Sequence, residues 1–207
     1  MKAFETLLWI LGASMLAVYF GAGYWGDHQQ RAGLASFAAV QQTAPVERPQ
    51  ATPDMPAGEA VLARMPIVAD VAAAQDGVVA ILRIPVIELE VPVYQGTTEY
   101  VLRRGAGLVE GTAIPGSMGN VGIAAHRDTH FRGLKDVAVG DLIELGTLDQ
   151  TQVYRVKSLE VVAPGDVHVL DDTGESVLTL VTCYPFYFVG NAPQRYIVRA
   201  TAADGSI

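Results

Sequence analysis

From about Gly77 onward, apolar residues come in short or alternating runs punctuated by Gly, Pro and Asp, the texture of an all-β sandwich or barrel. The runs predict strands at Val78–Ile84, Ile87–Tyr94, Asn120–His126, Asp141–Leu148, Gln152–Ala163, Ser176–Cys183 and Arg195–Thr201, giving a domain of seven or eight strands over residues 77–207. Thr98–Arg104 has room for one helical turn. Gly105–Asn120 is too broken by Gly and Pro for a long helix and reads as a connecting loop. No amphipathic helical segments alternate with the strands, which excludes helical repeats and a doubly wound α/β sheet.

The first residues follow a different pattern. Thr6–Trp25 carries no charge, and twenty residues of helix reach about 30 Å, the thickness of a bilayer's hydrocarbon core. Trp9, Tyr19, Tyr24 and Trp25 lie towards its two ends, where amphipathic rings favour the headgroup level, although Glu5 sits close to the start. Lys2 and the amino terminus make the leading flank weakly positive, predicting an amino terminus inside and the remainder exported. A cleaved signal peptide would have a shorter apolar region and a clean small-x-small site, where this chain offers only Gly21-Ala22-Gly23. Residues 1–26 are therefore expected to be an uncleaved, single-pass transmembrane signal anchor.

Residues 27–76 are rich in Ala, Gln and Pro, with five of the eleven prolines between Pro45 and Pro66. Proline removes backbone donors and favours extended chain, so a semi-rigid stalk or linker is the simplest reading. A short helix at Leu34–Gln42 or Ala60–Ala74 is compatible with it.

With 14 basic against 22 acidic residues the net charge is −8, which offers no electrostatic footprint for nucleic acid. The single cysteine, Cys183, cannot form an internal disulfide, and an unpaired thiol in an exported protein is exposed to oxidation unless it is buried or serves a purpose. Cys183 ends an apolar strand before Tyr184-Pro185, and on its own such a residue is more often a small buried apolar side chain. His126 likewise ends the run Val121–Ala125, with His130 and His168 as competitors and His28 the weakest candidate. Arg195 opens the last strand twelve residues after Cys183, so two adjacent strands would return it to the thiol. Taken together, the three supply what acyl transfer requires: a sulfur nucleophile, a proton carrier for the leaving amine and a fixed cation facing the developing oxyanion.

Thr179-Leu-Val-Thr-Cys183 followed by Arg195 resembles the sortase TLxTC…R signature. Gly119–Asp128 resembles the sortase histidine segment, and Phe131-Arg-Gly-Leu-Lys and Gly140-Asp-Leu-Ile-Glu-Leu resemble the segments that follow it, so that the likeness covers Val78 to Ala200. The texture of CYPFYFVGNAPQRY is most similar to the sortases of Gram-negative marine proteobacteria and neighbouring class D-like groups.

The resemblance implies an eight-stranded β-barrel with short helices in its loops. It also implies a cysteine transpeptidase in which Cys183 attacks the threonine carbonyl of an LPXTG-like sorting signal to form a thioacyl-enzyme. His126 would protonate the departing amine and then deprotonate the acceptor amine. Arg195 would hold the oxyanion and the substrate backbone, with the Tyr184 amide or a neighbouring loop as second donor. Thr182 matches the signature threonine and would orient substrate or Arg195. The loop from Pro164 to Glu175 corresponds in position to the segment that shapes the sorting-signal pocket.

The implied partners are a protein with a carboxy-terminal sorting signal and an acceptor amine on peptidoglycan or another protein. The implied location is the bacterial inner membrane, with the catalytic domain on the periplasmic side. Some sortases use calcium, but Asp171, Asp172 and Glu175 are as readily explained by a solvated turn, and no metal or other cofactor is expected. Two other readings compete. An L,D-transpeptidase also uses Cys, His and Arg, but places its arginine closely after the cysteine; a membrane-tethered barrel could also bind a peptide without chemistry.

Overall fold

The computed structural model describes residues 9–12, 14–16, 30–39, 77–188 and 190–203. Within them eight strands close into a barrel: β1 (Val78–Ile84), β2 (Leu89–Gln95), β3 (Ala106–Leu108), β4 (Asn120–Ala124), β5 (Leu142–Gly146), β6 (Thr151–Val162), β7 (Val177–Tyr184) and β8 (Gln194–Ala202). Around the barrel they run β1-β2-β3-β4-β7-β8-β6-β5, and β5 pairs with β1 to close it. Among the described residues closure gives every strand a neighbour on both sides.

The seven predicted strands are all present with shifted ends. β2 starts at Leu89 because Pro85–Ile87 forms a 3-10 turn, after which Glu88 adopts the left-handed conformation. The eighth strand, β3, lies inside the segment expected to be loop. Three residues are too few to show alternation, and two glycines conceal it: a Cβ on Gly107 would come 2.2 Å from the Gly96 carbonyl oxygen, and one on Gly105 2.4 Å from that of Pro92. Those close approaches let β3 pair in parallel with β2. The crossover between them contains a short helix, Glu99–Arg104, capped by the Thr98 hydroxyl, which accepts from the Val101 N–H.

Inside the barrel, alternate residues form one core: Leu82, Ile84, Val91, Val93, Val121, Ile123, Leu178, Leu180, Val198 and Ala200 among them. β1 is buried on both faces, which is why its sequence reads as an almost continuous apolar run. Residues 30–39 explain the second face. They form a helix, α1, whose Phe37 packs with Val78, Ile81, Tyr94 and Val101 outside the barrel, and whose Gln30 side chain donates to the Glu90 carbonyl at 2.7 Å. Gly33 permits the approach, since a Cβ there would lie 2.4 Å from the Tyr94 hydroxyl. Residues 30–39 are thus a docked helix, overlapping the short helix allowed at Leu34–Gln42; residues 27–29 and 40–76 lie outside the described residues. In the same numbering, the Glu99–Arg104 helix is α2.

Of the expected span Thr6–Trp25, residues 9–12 and 14–16 are described and helical, and the rest lies outside the described residues. Among the described residues no helix is long and apolar enough to cross a membrane.

Candidate active site

The site is built from strand register. β7 and β8 pair antiparallel with Cys183 directly opposite Arg195. On the other side of β7, β4 runs parallel, and their register ends at Ala124 opposite Val181. The next residue continues it: the Ala125 N–H donates to the Val181 carbonyl at 3.2 Å, and the Ala125 carbonyl accepts from the Thr182 hydroxyl at 2.7 Å. One further step brings His126 level with Cys183. His126, Cys183 and Arg195 therefore occupy neighbouring positions across the β4 end, β7 and β8, although they are far apart in sequence.

Alternation decides which way each points. Leu178 and Leu180 belong to the interior core, and Thr182 follows them inward with 2% of its surface exposed. Cys183 therefore turns outward as a half-buried free thiol. Thr182 does not share the Cys183 face; its hydroxyl ties β7 to the residue preceding His126. Tyr184, Phe186 and Tyr196 form a cluster of ring contacts with centroids 5.2–6.0 Å apart, and Phe186 and Tyr196 pack against the core. Burial, and secondarily the neighbouring Tyr184, push the Tyr196 phenol above its ordinary pKa.

Three further residues complete the site, of which the sequence singles out only His130, as a competitor of His126. Glu99, at the start of α2, brings Oε2 to 3.7 Å from His126 Nε2. Arg127 reaches across to the β7–β8 loop, where its Nη2 donates to the Phe188 carbonyl at 2.6 Å and the Gly190 carbonyl at 3.1 Å. This fixes the loop between nucleophile and arginine to the histidine's own flank. His130, a competitor for the role of His126, lies beside the Arg103 backbone, and burial lowers its pKa although that polar neighbour works against the shift. It stands between the site and α2. The sequence left room for a helical turn at Thr98–Arg104, but nothing in it marked Glu99; the contact exists because the chain crosses over between β2 and β3.

Arg195 donates from Nη1 to the carbonyls of Ala192 and Gln194 at 3.3 and 3.0 Å, so its guanidinium is held to its own loop. His168 sits exposed on the Val167–Leu170 turn, which is fastened to Asn120 at the other end of β4 from His126: Asn120 Nδ2 donates to the Val169 and Asp171 carbonyls, and its Oδ1 accepts from Thr179. His28 lies outside the described residues. Asp171, Asp172 and Glu175 occupy an exposed turn in which Asp172 accepts from the Gly174 N–H. Among the described residues no group of three or more His, Cys, Asp or Glu is placed to hold a metal ion. A shallow pocket of about 280 Å³ between Gly111–Ala113, Met118 and Leu170 opens at the Asn120 end of β4, away from the thiol. The reactive groups, and not that concavity, locate the site.

A closed eight-stranded barrel with cysteine, histidine and arginine side by side at one strand end defines a cysteine–histidine–arginine β-barrel protein. The chain belongs to the sortase family: the profile described as Sortase domain matches residues 82–203. Among curated relatives it is 35% identical over 119 residues to Sortase D of Bacillus subtilis, covering 57% of this chain and 60% of that protein. It is 30% identical over 128 residues to Sortase A of Streptococcus agalactiae, covering 58% and 50%. The chain thus matches between half and three fifths of the length of these relatives. Among solved structures it resembles a Clostridium perfringens Sortase D5 transpeptidase, with a TM-score of 0.57 at 32% identity over 62% of this chain and 81% of that one. Sortase A of Corynebacterium diphtheriae gives a TM-score of 0.58 at 34% identity, covering 61% of each chain.

Proposed function

We propose that the chain is a membrane-anchored cysteine transpeptidase that cleaves an LPXTG-like sorting signal and joins the released carboxyl to an acceptor amine. The observation that carries this reading is the register that sets His126, Cys183 and Arg195 level across three neighbouring strand positions. The Cys183 sulfur, as thiolate, attacks the threonine carbonyl; the peptide C–N bond breaks, His126 delivers a proton to the departing amine, and a thioester remains. Acceptor amine then attacks the thioester carbon and the C–S bond breaks.

Arg195 opposes Cys183 from the side where the oxyanion develops, and leaving its own loop carbonyls would free its donors for substrate. The Tyr184 amide is the second donor in this reading. Thr182 contributes by holding Ala125, and with it His126, at the correct height. The loop assigned to the sorting-signal pocket leaves β6 at Val162, which pairs with Arg195, and so begins near the thiol. The uncharged segment Thr6–Trp25 supports an inner-membrane anchor with the barrel on the periplasmic side. The acceptor belongs to peptidoglycan or to another protein.

The test is mass spectrometry of the full chain in detergent with an LPXTG-type peptide, with and without an amine, beside Cys183→Ala. A thioacyl adduct that is lost in the variant and becomes amide when amine is added is the expected result. No adduct across a panel of varied signal peptides would instead favour a barrel that binds peptide without chemistry.

A further inference from the structure

The row formed by Arg195, Cys183 and His126 continues to a fourth residue. Glu99 lies beyond His126, with Oε2 3.7 Å from Nε2, so the row runs from a cation at one end to a carboxylate at the other. The Glu99 side chain is 67% exposed and open to a ligand. Its other oxygen is 3.9 Å from Arg103 Nε, in an exposed pair of the kind that contributes little and yields readily to a competing cation.

The backbone that presents this carboxylate is fixed at two points. Thr98 caps α2, and Val101 is buried against Phe37 and Tyr94. An exposed charge on a pinned backbone beside a proton carrier is a suitable place for a cation to dock.

We propose that Glu99 is the docking carboxylate for the acceptor's primary ammonium group. The inference rests on the transpeptidase reading and names where the second substrate binds. At neutral pH a primary amine arrives mostly as ammonium, because lysine side chains titrate near 10.4 and α-amino groups near 7.7–8.0. With the oxyanion drawn towards Arg195, the amine has the opposite side of the thioester, where His126 and Glu99 stand. The docked ammonium releases one proton to solvent. Its nitrogen then attacks the thioester carbon, the C–N bond forms as the C–S bond breaks, and the amine's second proton passes through His126 to the Cys183 sulfur.

The experiment starts from preformed thioacyl-enzyme of the full chain, so that acylation does not enter the measurement. Its resolution is followed against diglycine, whose amine is cationic, and against hydroxylamine, which is uncharged at neutral pH. Glu99→Gln should raise the KM for diglycine about two- to fivefold, the factor an exposed ion pair supplies, and lower the diglycine-to-hydroxylamine ratio to match. Added salt should weaken diglycine use by the native chain and have little effect on the variant. Glu99→Asp should recover part of the loss. An unchanged ratio, whether both nucleophiles slow together or neither does, overturns the proposal; equal slowing would mean that Glu99 acts by placing His126. Failure of the underlying reading looks different, since the native chain would then form no thioacyl species, and this proposal would fall with it.

Discussion

Cys183 and Arg195 are direct cross-strand partners in the β7–β8 ladder, although they stand twelve positions apart in the chain, on either side of a loop over residues 185–193. That pairing gives the guanidinium a fixed height relative to the thiol. Arg195→Ala should lower the rate of thioacyl formation by about 10²–10³, the usual cost of removing one oxyanion donor, in stopped-flow or quenched mass spectrometry. Its stability cost should stay near 1 kcal/mol, because the lost bonds are to carbonyls of a partly exposed loop. Arg195→Lys should recover only part of the rate, since a point charge cannot reproduce the fork.

Thr182→Val keeps the shape of the side chain but removes the donor to the Ala125 carbonyl. We expect a loss of about 1–3 kcal/mol in urea unfolding, because the site is buried and the carbonyl is left without that partner. Acylation should slow in parallel as His126 loses its support. A rise in peptide KM with unchanged stability would instead assign Thr182 to substrate contact.

Phe37 is the buried anchor of α1, with 7% of its surface exposed. Burying such a side chain contributes about 1.5–3 kcal/mol, so Phe37→Ala should undock residues 30–39 while the barrel stays folded. Hydrogen exchange should then report faster exchange in α1 and α2 and little change in β7. Uniform acceleration across every strand would mean that α1 is part of the global folding unit.

His130 makes stability depend on pH. Burial holds its pKa in the folded state below 6.5, so the unfolded chain binds more protons and stability rises with pH in that window. The penalty is absent above pH 6.5 and grows as the pH falls towards the folded-state value. His130→Gln should flatten the melting temperature over this range, and an unchanged acid slope would assign it to other groups.

The sequence by itself determined the barrel strands long enough to alternate, and it nominated Cys183, His126 and Arg195 as candidates, through the strand ends they share and the likeness of the TLVTC segment and its neighbours to the sortase signature. A stretch of eight residues carries its own periodicity, and a local signal survives without the fold. The three-residue β3 has no period to display, and Gly107 within it and Gly105 before it matter only because other backbone approaches them. The sequence allows a short helix at Leu34–Gln42, and α1 occupies residues 30–39; what the sequence could not show is the partner, the outer face of β1 and β2. Glu99, Arg127 and His130 took their places only in the tertiary structure, through contacts made by a crossover and by two loops. The inward turn of Thr182 followed from the phase of β7 in the closed barrel, which no pattern in the TLVTC segment alone reveals. Spacing along the chain indicated which residues reach a strand end; barrel closure decided which strand ends are neighbours.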